Sequence, residues 1–145
     1  LRSLRSLLVE IHPPDLRADG LTAALADPTA PAASAGVTTD VVVTGMEGAP
    51  DATVALVWRV AQEAVRNAIR HARAAHLTVT VTGGSRGVAL DVVDDGIGFD
   101  PALVTDPQHF GLRGLTSLVA DAGGRLDVRS TPGQGTTVHM EVLNT

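Results

Sequence analysis

Four polar residues in the middle of the chain, Glu63, Asn67, Arg70 and His71, recur at helical spacing. At about 100° per residue, the first three fall on one side of a helical wheel and His71 on its shoulder. Val57, Ala61, Ala64, Val65, Ala68 and Ala72 fall on the other side, which reads as the buried face. Two chemistries suit the polar set. It is either a solvated face with incidental i,i+4 pairing, or one edge of a magnesium–phosphate site. Hard divalent cations take oxygen ligands, and phosphates take basic partners. The helix alone leaves both open.

A second constellation, Asp94-Asp95-Gly96-Ile97-Gly98, follows the apolar run Val88-Ala89-Leu90-Asp91-Val92-Val93. A carboxylate at a buried strand end can accept a hydrogen bond from an exocyclic amine. Adjacent glycines let a flat ring approach the backbone. The plainer reading is an acidic turn. Two more glycine groups come later. Gly111-Leu112-Arg113-Gly114 opens a helix, where free N–H groups can hold an anion or simply punctuate a loop. Pro132-Gly133-Gln134-Gly135-Thr136 in isolation reads as a hairpin loop.

These groups need elements to position them. Leu1, Leu4, Leu8 and Ile11 form an a/d seam, and Pro13-Pro14 ends that helix. The chain thus reads as starting inside a helix, as though cut from something longer. Residues 16–26 suggest a second short helix, with Pro28, Pro31, Ser34 and Gly36 in a loop after it. Residues 37–44 are β-branched enough for a strand. Asp51 is placed to cap a helix running to about Ala72. Residues 77–82 and 88–93 read as paired strands, 111–122 as a helix ended by Gly123-Gly124, and 125–130 and 136–142 as two more strands. Hairpins with helices between them predict an α+β fold. The expectation is a two-layer sandwich, a mixed and mostly antiparallel sheet with helices on one face.

Composition narrows the chemistry. The 145 residues are 44% hydrophobic and 19% charged, a balance that suits one folded domain and not a disordered chain. The absence of Cys removes disulfides, thiolate metal sites and a Cys nucleophile. All 11 basic residues are Arg. Without Lys there is no Walker-type phosphate loop, no kinase-fold phosphate Lys and no Schiff base. A net charge of −5 argues against a nucleic-acid surface. No apolar run approaches the roughly 20 residues of a membrane span, and no leader pattern opens the chain.

Taken in order, the segments resemble the N, G1, G2 and G3 boxes of the GHKL ATPases. They are Glu63-Ala64-Val65-Arg66-Asn67-Ala68-Ile69-Arg70-His71-Ala72, then Asp94-x-Gly96-x-Gly98, then Gly111-Leu112-x-Gly114-Leu115, then Gly133-x-Gly135-Thr136. Within that superfamily the chain is similar to the ATP-binding domain of sensor histidine kinases of the nitrate-sensor and desaturase-thermosensor type. The likeness runs from Leu4 to Val142 and includes Ile11-His12-Pro13-Pro14-Asp15-Leu16, which is similar to the join between dimerisation helix and ATPase domain.

The resemblance implies a Bergerat sandwich, with residues 1–14 as the end of a dimerisation helix and linker and 15–145 as the ATP-binding domain. It implies ATP and Mg²⁺ as ligands. Asp94 would read the adenine amine, with Gly96 and Gly98 admitting the base and Thr136 beneath it. Asn67 would ligate Mg²⁺, with Glu63 polarising water or supporting the metal, and Arg70 and His71 would face the phosphates. Many relatives carry Lys where Arg70 stands. Residues 99–110 would form a short lid closed by Gly111, Leu112 and Gly114. The implied function is to supply the γ-phosphoryl of ATP to a histidine on upstream dimerisation helices, in a homodimer that signals to a response regulator. The location implied is a cytoplasmic domain of a sensor that a membrane span could anchor. With no phosphoacceptor region in these residues, the chain alone is expected not to phosphorylate itself. An ATP-sensing or anti-sigma-like module on the same fold is the alternative. A DNA-handling ATPase of the gyrase or mismatch-repair kind ranks last.

Overall fold

The structure is a computed structural model that describes residues 20–71, 73–98 and 110–143. The expected helix and link at residues 1–16, Ala72, and the expected lid up to residue 109 lie outside the described residues. In chain order the elements are α1 (Leu21–Ala24), α2 (Ala26–Ser34), β1 (Thr38–Thr44), α3 (Asp51–His71), β2 (His76–Gly83), β3 (Gly87–Asp94), α4 (Phe110–Asp121), β4 (Gly124–Ser130) and β5 (Thr136–Leu143).

The five strands form one mixed sheet in the order β1-β2-β3-β5-β4. Only β1 and β2 run parallel. A parallel pair needs a long crossover, and α3 supplies it. The α+β sandwich with helices on one face is therefore what the residues build. Strand alternation explains the layering: Leu77, Val79 and Val81 on β2, Val88, Leu90 and Val92 on β3, and Val138, Met140 and Val142 on β5 are all buried. They meet Val54, Val57, Val60, Ala61, Ala64, Val65 and Ala68 of α3 in one core. Burying each such Val or Leu contributes about 1.5–3 kcal/mol. Asp51 is the first residue of α3 and not its cap. The Val54 N–H bonds to the Pro50 carbonyl, 3.0 Å away, and the Asp51 charge favours the positive helix start.

One expected element is corrected. The loop expected around Pro28 and Pro31 is helix α2. Pro28 lies in the first turn, where no N–H is needed. Pro31 lies further in, so α2 forgoes one backbone bond there. Tertiary packing offsets that loss. Leu21, Leu25 and Ala32 are essentially inaccessible, and the Trp58 indole N–H on α3 donates to the Ala24 carbonyl at 3.1 Å. The Thr29 hydroxyl adds a bond to the Leu25 carbonyl at 2.9 Å.

The other face of the sheet carries an ionic cluster. His139 Nδ1 lies 2.6 Å from Asp91 Oδ1, and its Nε2 lies 2.8 Å from Glu141 Oε1. Both ring nitrogens can donate only in the imidazolium form. Bonding to Glu141 first, and to Asp91, raises the His139 pKa above its ordinary value.

Candidate functional site

Register places Asp94, the last residue of β3, directly opposite Thr136, the first of β5. Asp94 is the one buried charged residue among those described, 7% exposed. Its Oδ1 accepts the Gly96 N–H at 2.9 Å, which fixes the carboxylate over the turn that follows. Burial raises its pKa. Hydrogen bonds from the Gly96 and Thr136 N–H groups oppose the rise, and the neighbouring Asp95 charge adds to it. A buried carboxylate held by backbone donors, with acceptor capacity left over, can read an amine. The Thr136 hydroxyl pairs with the Ser130 hydroxyl at 2.8 Å.

Two glycines bring the turn after Asp94 onto the β4–β5 connection. Gly98 has φ of +64°, and a Cβ there would come within 2.1 Å of the Thr131 carbonyl oxygen. Gly135 has φ of +79°, and its Cβ would come within 2.1 Å of the Asp94 carbonyl oxygen. Backbone meets backbone at both places, so a side chain has no room. The Gly133 N–H to Ile97 carbonyl bond, at 2.6 Å, closes the contact. The sequence suggested Gly98 as an opening for a flat ring. In the structure its lack of a side chain is first required by this close approach. Gly135 belongs to the Gly133-x-Gly135-Thr136 box but had no role from the sequence; in the structure it stands against Asp94.

Asp95 was also missed. Its Oδ1 accepts the N–H groups of Ala75 at 2.8 Å and His76 at 2.9 Å, and its Oδ2 lies 2.8 Å from His76 Nδ1. Led by the His76 N–H, these bonds hold its carboxyl at about 2. Strand alternation held the clue. If Asp94 faces inward, its neighbour faces out and is free to seek another partner.

The α3 residues arrive at the same end of the sheet. His71 ends the helix, and β2 starts at His76 beside Asp94 and Asp95. Glu63 and Asn67 are half-buried, whereas Arg70 is exposed. The Asn67 side-chain nitrogen is buried and has no hydrogen-bond partner among the described residues. An unpaired buried N–H donor suits an acceptor such as a phosphate oxygen. No group of three or more His, Asp or Glu side chains among the described residues could hold a metal. A cation that takes most of its oxygens from phosphates and water fits that donor set, and Mg²⁺ is bound in this way through one or two protein groups. Gly111 and Leu112 lie in the first turn of α4, and Gly114 lies exposed one turn on. α4 packs along β4 and ends beside Gly124, opposite Val142. Its first turn therefore points toward the Asp94–Thr136 end. The structure thus gathers Asp94, Gly96, Gly98, Thr136, the end of α3 and the start of α4 at one end of the sheet.

Comparison with known proteins bears on the family and the fold. The family model of histidine kinase-, DNA gyrase B-, and HSP90-like ATPases matches residues 53–145. An uncharacterized sensor-like histidine kinase of Chloroflexus aurantiacus is 37% identical over 86 residues, a match covering 56% of this chain and 14% of that protein. The chain thus spans only a small part of that relative. Among solved structures, the histidine kinase domain of the Erythrobacter litoralis blue-light activated kinase superposes with a TM-score of 0.65 at 19% identity, covering 86% of this chain and 59% of that one. Full-length ShkA in complex with AMPPNP gives 0.67 at 23% identity, covering 87% and 30%. The catalytic domain of histidine kinase ThkA gives 0.66 at 15% identity, covering 86% and 91%. These likenesses are of fold. The chain belongs to the histidine kinase-, DNA gyrase B- and HSP90-like ATPases.

Proposed function

We propose that this chain binds ATP at the Asp94–Thr136 end of its sheet and, within a longer kinase, presents the γ-phosphoryl to a histidine on upstream dimerisation helices. The observation that carries the reading is the Asp94 carboxylate, buried and held by the Gly96 and Thr136 N–H groups. It accepts from the adenine amine. Gly96 keeps it oriented, and Thr136 lies across the ladder from it. Asn67 offers an oxygen ligand to the nucleotide-bound Mg²⁺, Glu63 one turn earlier supports that ligand or polarises water, and Arg70 and His71 face the phosphates. Gly111, Leu112 and Gly114 border the phosphates from α4. When bound, Mg²⁺ supplies neutralisation of the charge that develops on the transferring group. The protein's part is positioning, because phosphoryl transfer asks mostly for in-line placement and electrostatics.

The acceptor would come from the upstream helices of a homodimer, and the phosphoryl would pass on to a response regulator. No helix among the described residues is long and apolar enough to cross a membrane, and we assign this domain to the cytoplasm. Calorimetric titration tests the central claim. GTP presents a carbonyl oxygen where ATP presents the amine, which sets an acceptor against the carboxylate. Asp94→Asn should weaken ATP by about 2 kcal/mol or more, and the native chain should strongly prefer ATP over GTP. Equal affinities for the two nucleotides would refute the assignment.

A further inference from the structure

Asp95 stands beside the adenine-reading residue yet turns the other way. The connector from α3 to β2 is short, and Arg73 within it has φ of +51°, the one non-glycine residue with positive φ among those described. Such a conformation disfavours a side-chain-bearing residue and persists where its surroundings hold it. The Asp95 carboxylate takes the two N–H groups that end this connector, at Ala75 and His76, and also the His76 ring. In return the Asp95 N–H donates to the His76 carbonyl at 3.3 Å. One residue thus joins the end of β3 to the chain that leaves α3.

This matters because the two halves of the proposed site sit on those two elements. Asp94 is on β3, whereas Asn67, Arg70 and His71 are on the last turns of α3. We infer that Asp95 is a positioning residue that fixes the phosphate-facing end of α3 relative to the adenine-reading end of β3, so that one nucleotide can reach both at once. The inference rests on the ATP-binding reading above. Its carboxyl, held at about 2, stays ionised at any pH near neutrality, so the tie is permanent and not a pH switch.

The predicted signature is a split between ligands. Adenosine uses the β3 end alone, whereas ATP needs both ends in register. Asp95→Ala should leave adenosine affinity within about twofold and weaken Mg-ATP about tenfold or more, since small misplacements of positioned groups cost factors of that order. Asp95→Asn keeps an oxygen for the Ala75 and His76 N–H groups and should restore most of the ATP affinity. Titrations of the native chain and both variants with adenosine and with Mg-ATP decide it. Amide exchange at Ala75 and His76 in each variant shows whether the tie was cut and the rest of the fold kept. If Asp95→Ala does not fold, the rescue comparison moves to Asp95→Ser and Asp95→Asn with the same two ligands. Native-like ATP binding after loss of Ala75 and His76 protection would overturn the inference. So would equal losses for adenosine and ATP, which would leave Asp95 supporting Asp94 alone. Both of those results spare the ATP-binding reading. A native chain that binds neither ligand would overturn that reading, and this inference with it.

Discussion

Gly133 and Gly135 offer an experiment with its control built in. Both lie in the β4–β5 connection and have nearly the same backbone, φ of +81° and +79°. They differ in what a methyl group would meet. At Gly133 nothing lies within 4 Å, whereas at Gly135 the Asp94 carbonyl oxygen lies 2.1 Å from the added Cβ. Gly133→Ala should therefore cost only the left-handed conformation, about 1–2 kcal/mol. Gly135→Ala carries the same cost plus overpacking against backbone, about 1–3 kcal/mol more. For a domain of this length each kcal/mol moves Tm by roughly 3–4 °C. The expected shifts are thus about 3–8 °C for Gly133→Ala and about 6–20 °C for Gly135→Ala, by thermal unfolding followed by circular dichroism. Function should separate them further. Gly135→Ala pushes on the residue that holds the proposed adenine ligand and should weaken ATP about tenfold, while Gly133→Ala should leave it within about twofold, since small displacements at a positioned site are costly. Equal Tm shifts for the two variants would refute the close approach. A large Tm shift for Gly135→Ala with native ATP affinity would separate that contact from the site.

Two further outcomes follow from other parts of the molecule. Asn67→Ala removes the oxygen proposed for Mg²⁺ and the unpaired buried amide together, so Mg²⁺-dependent ATP affinity should fall about tenfold or more while stability holds or rises slightly. An unchanged Mg²⁺ dependence in titrations would return that helix face to a structural role. His139, whose pKa is raised by Glu141 and Asp91, stabilises the fold fully below its unfolded value of about 6.5 and loses that contribution as pH rises through the folded value. Denaturant unfolding of His139→Gln against the native chain should show the largest gap near pH 6 and a smaller one near pH 9, and a gap independent of pH would refute the pairing.

Much of this was legible in the residues. Periodicity marks elements whose pattern and length agree, which is why α3, the four long strands from residue 76 onward and α4 fall within a residue or two of their expected bounds. The box residues are legible for a related reason: a carboxylate at a strand end and glycines at fixed offsets are local patterns. The helix through Pro28 and Pro31 was not legible. Proline's cost is written in the sequence, but the packing that offsets it, Leu21, Leu25 and Ala32 under the Trp58 helix, is contributed from more than thirty residues away.

The split within the site has the same cause. The sequence by itself determined the fold class, the family and the groups proposed to bind a nucleotide, because each depends on residue types at fixed short spacing. It could not show that Gly135 presses on the Asp94 carbonyl, that Gly98 presses on that of Thr131, or that Asp95 binds Ala75 and His76. Those are contacts between segments some 20 to 40 residues apart. Only the register of the sheet, with Asp94 opposite Thr136 and beside Leu77, brings them within reach. A one-residue slip in either pairing would turn Asp94 to the outer face and Asp95 inward, because strand side chains alternate with a period of two. Local chemistry named the groups, and tertiary pairing decided which of them face one another.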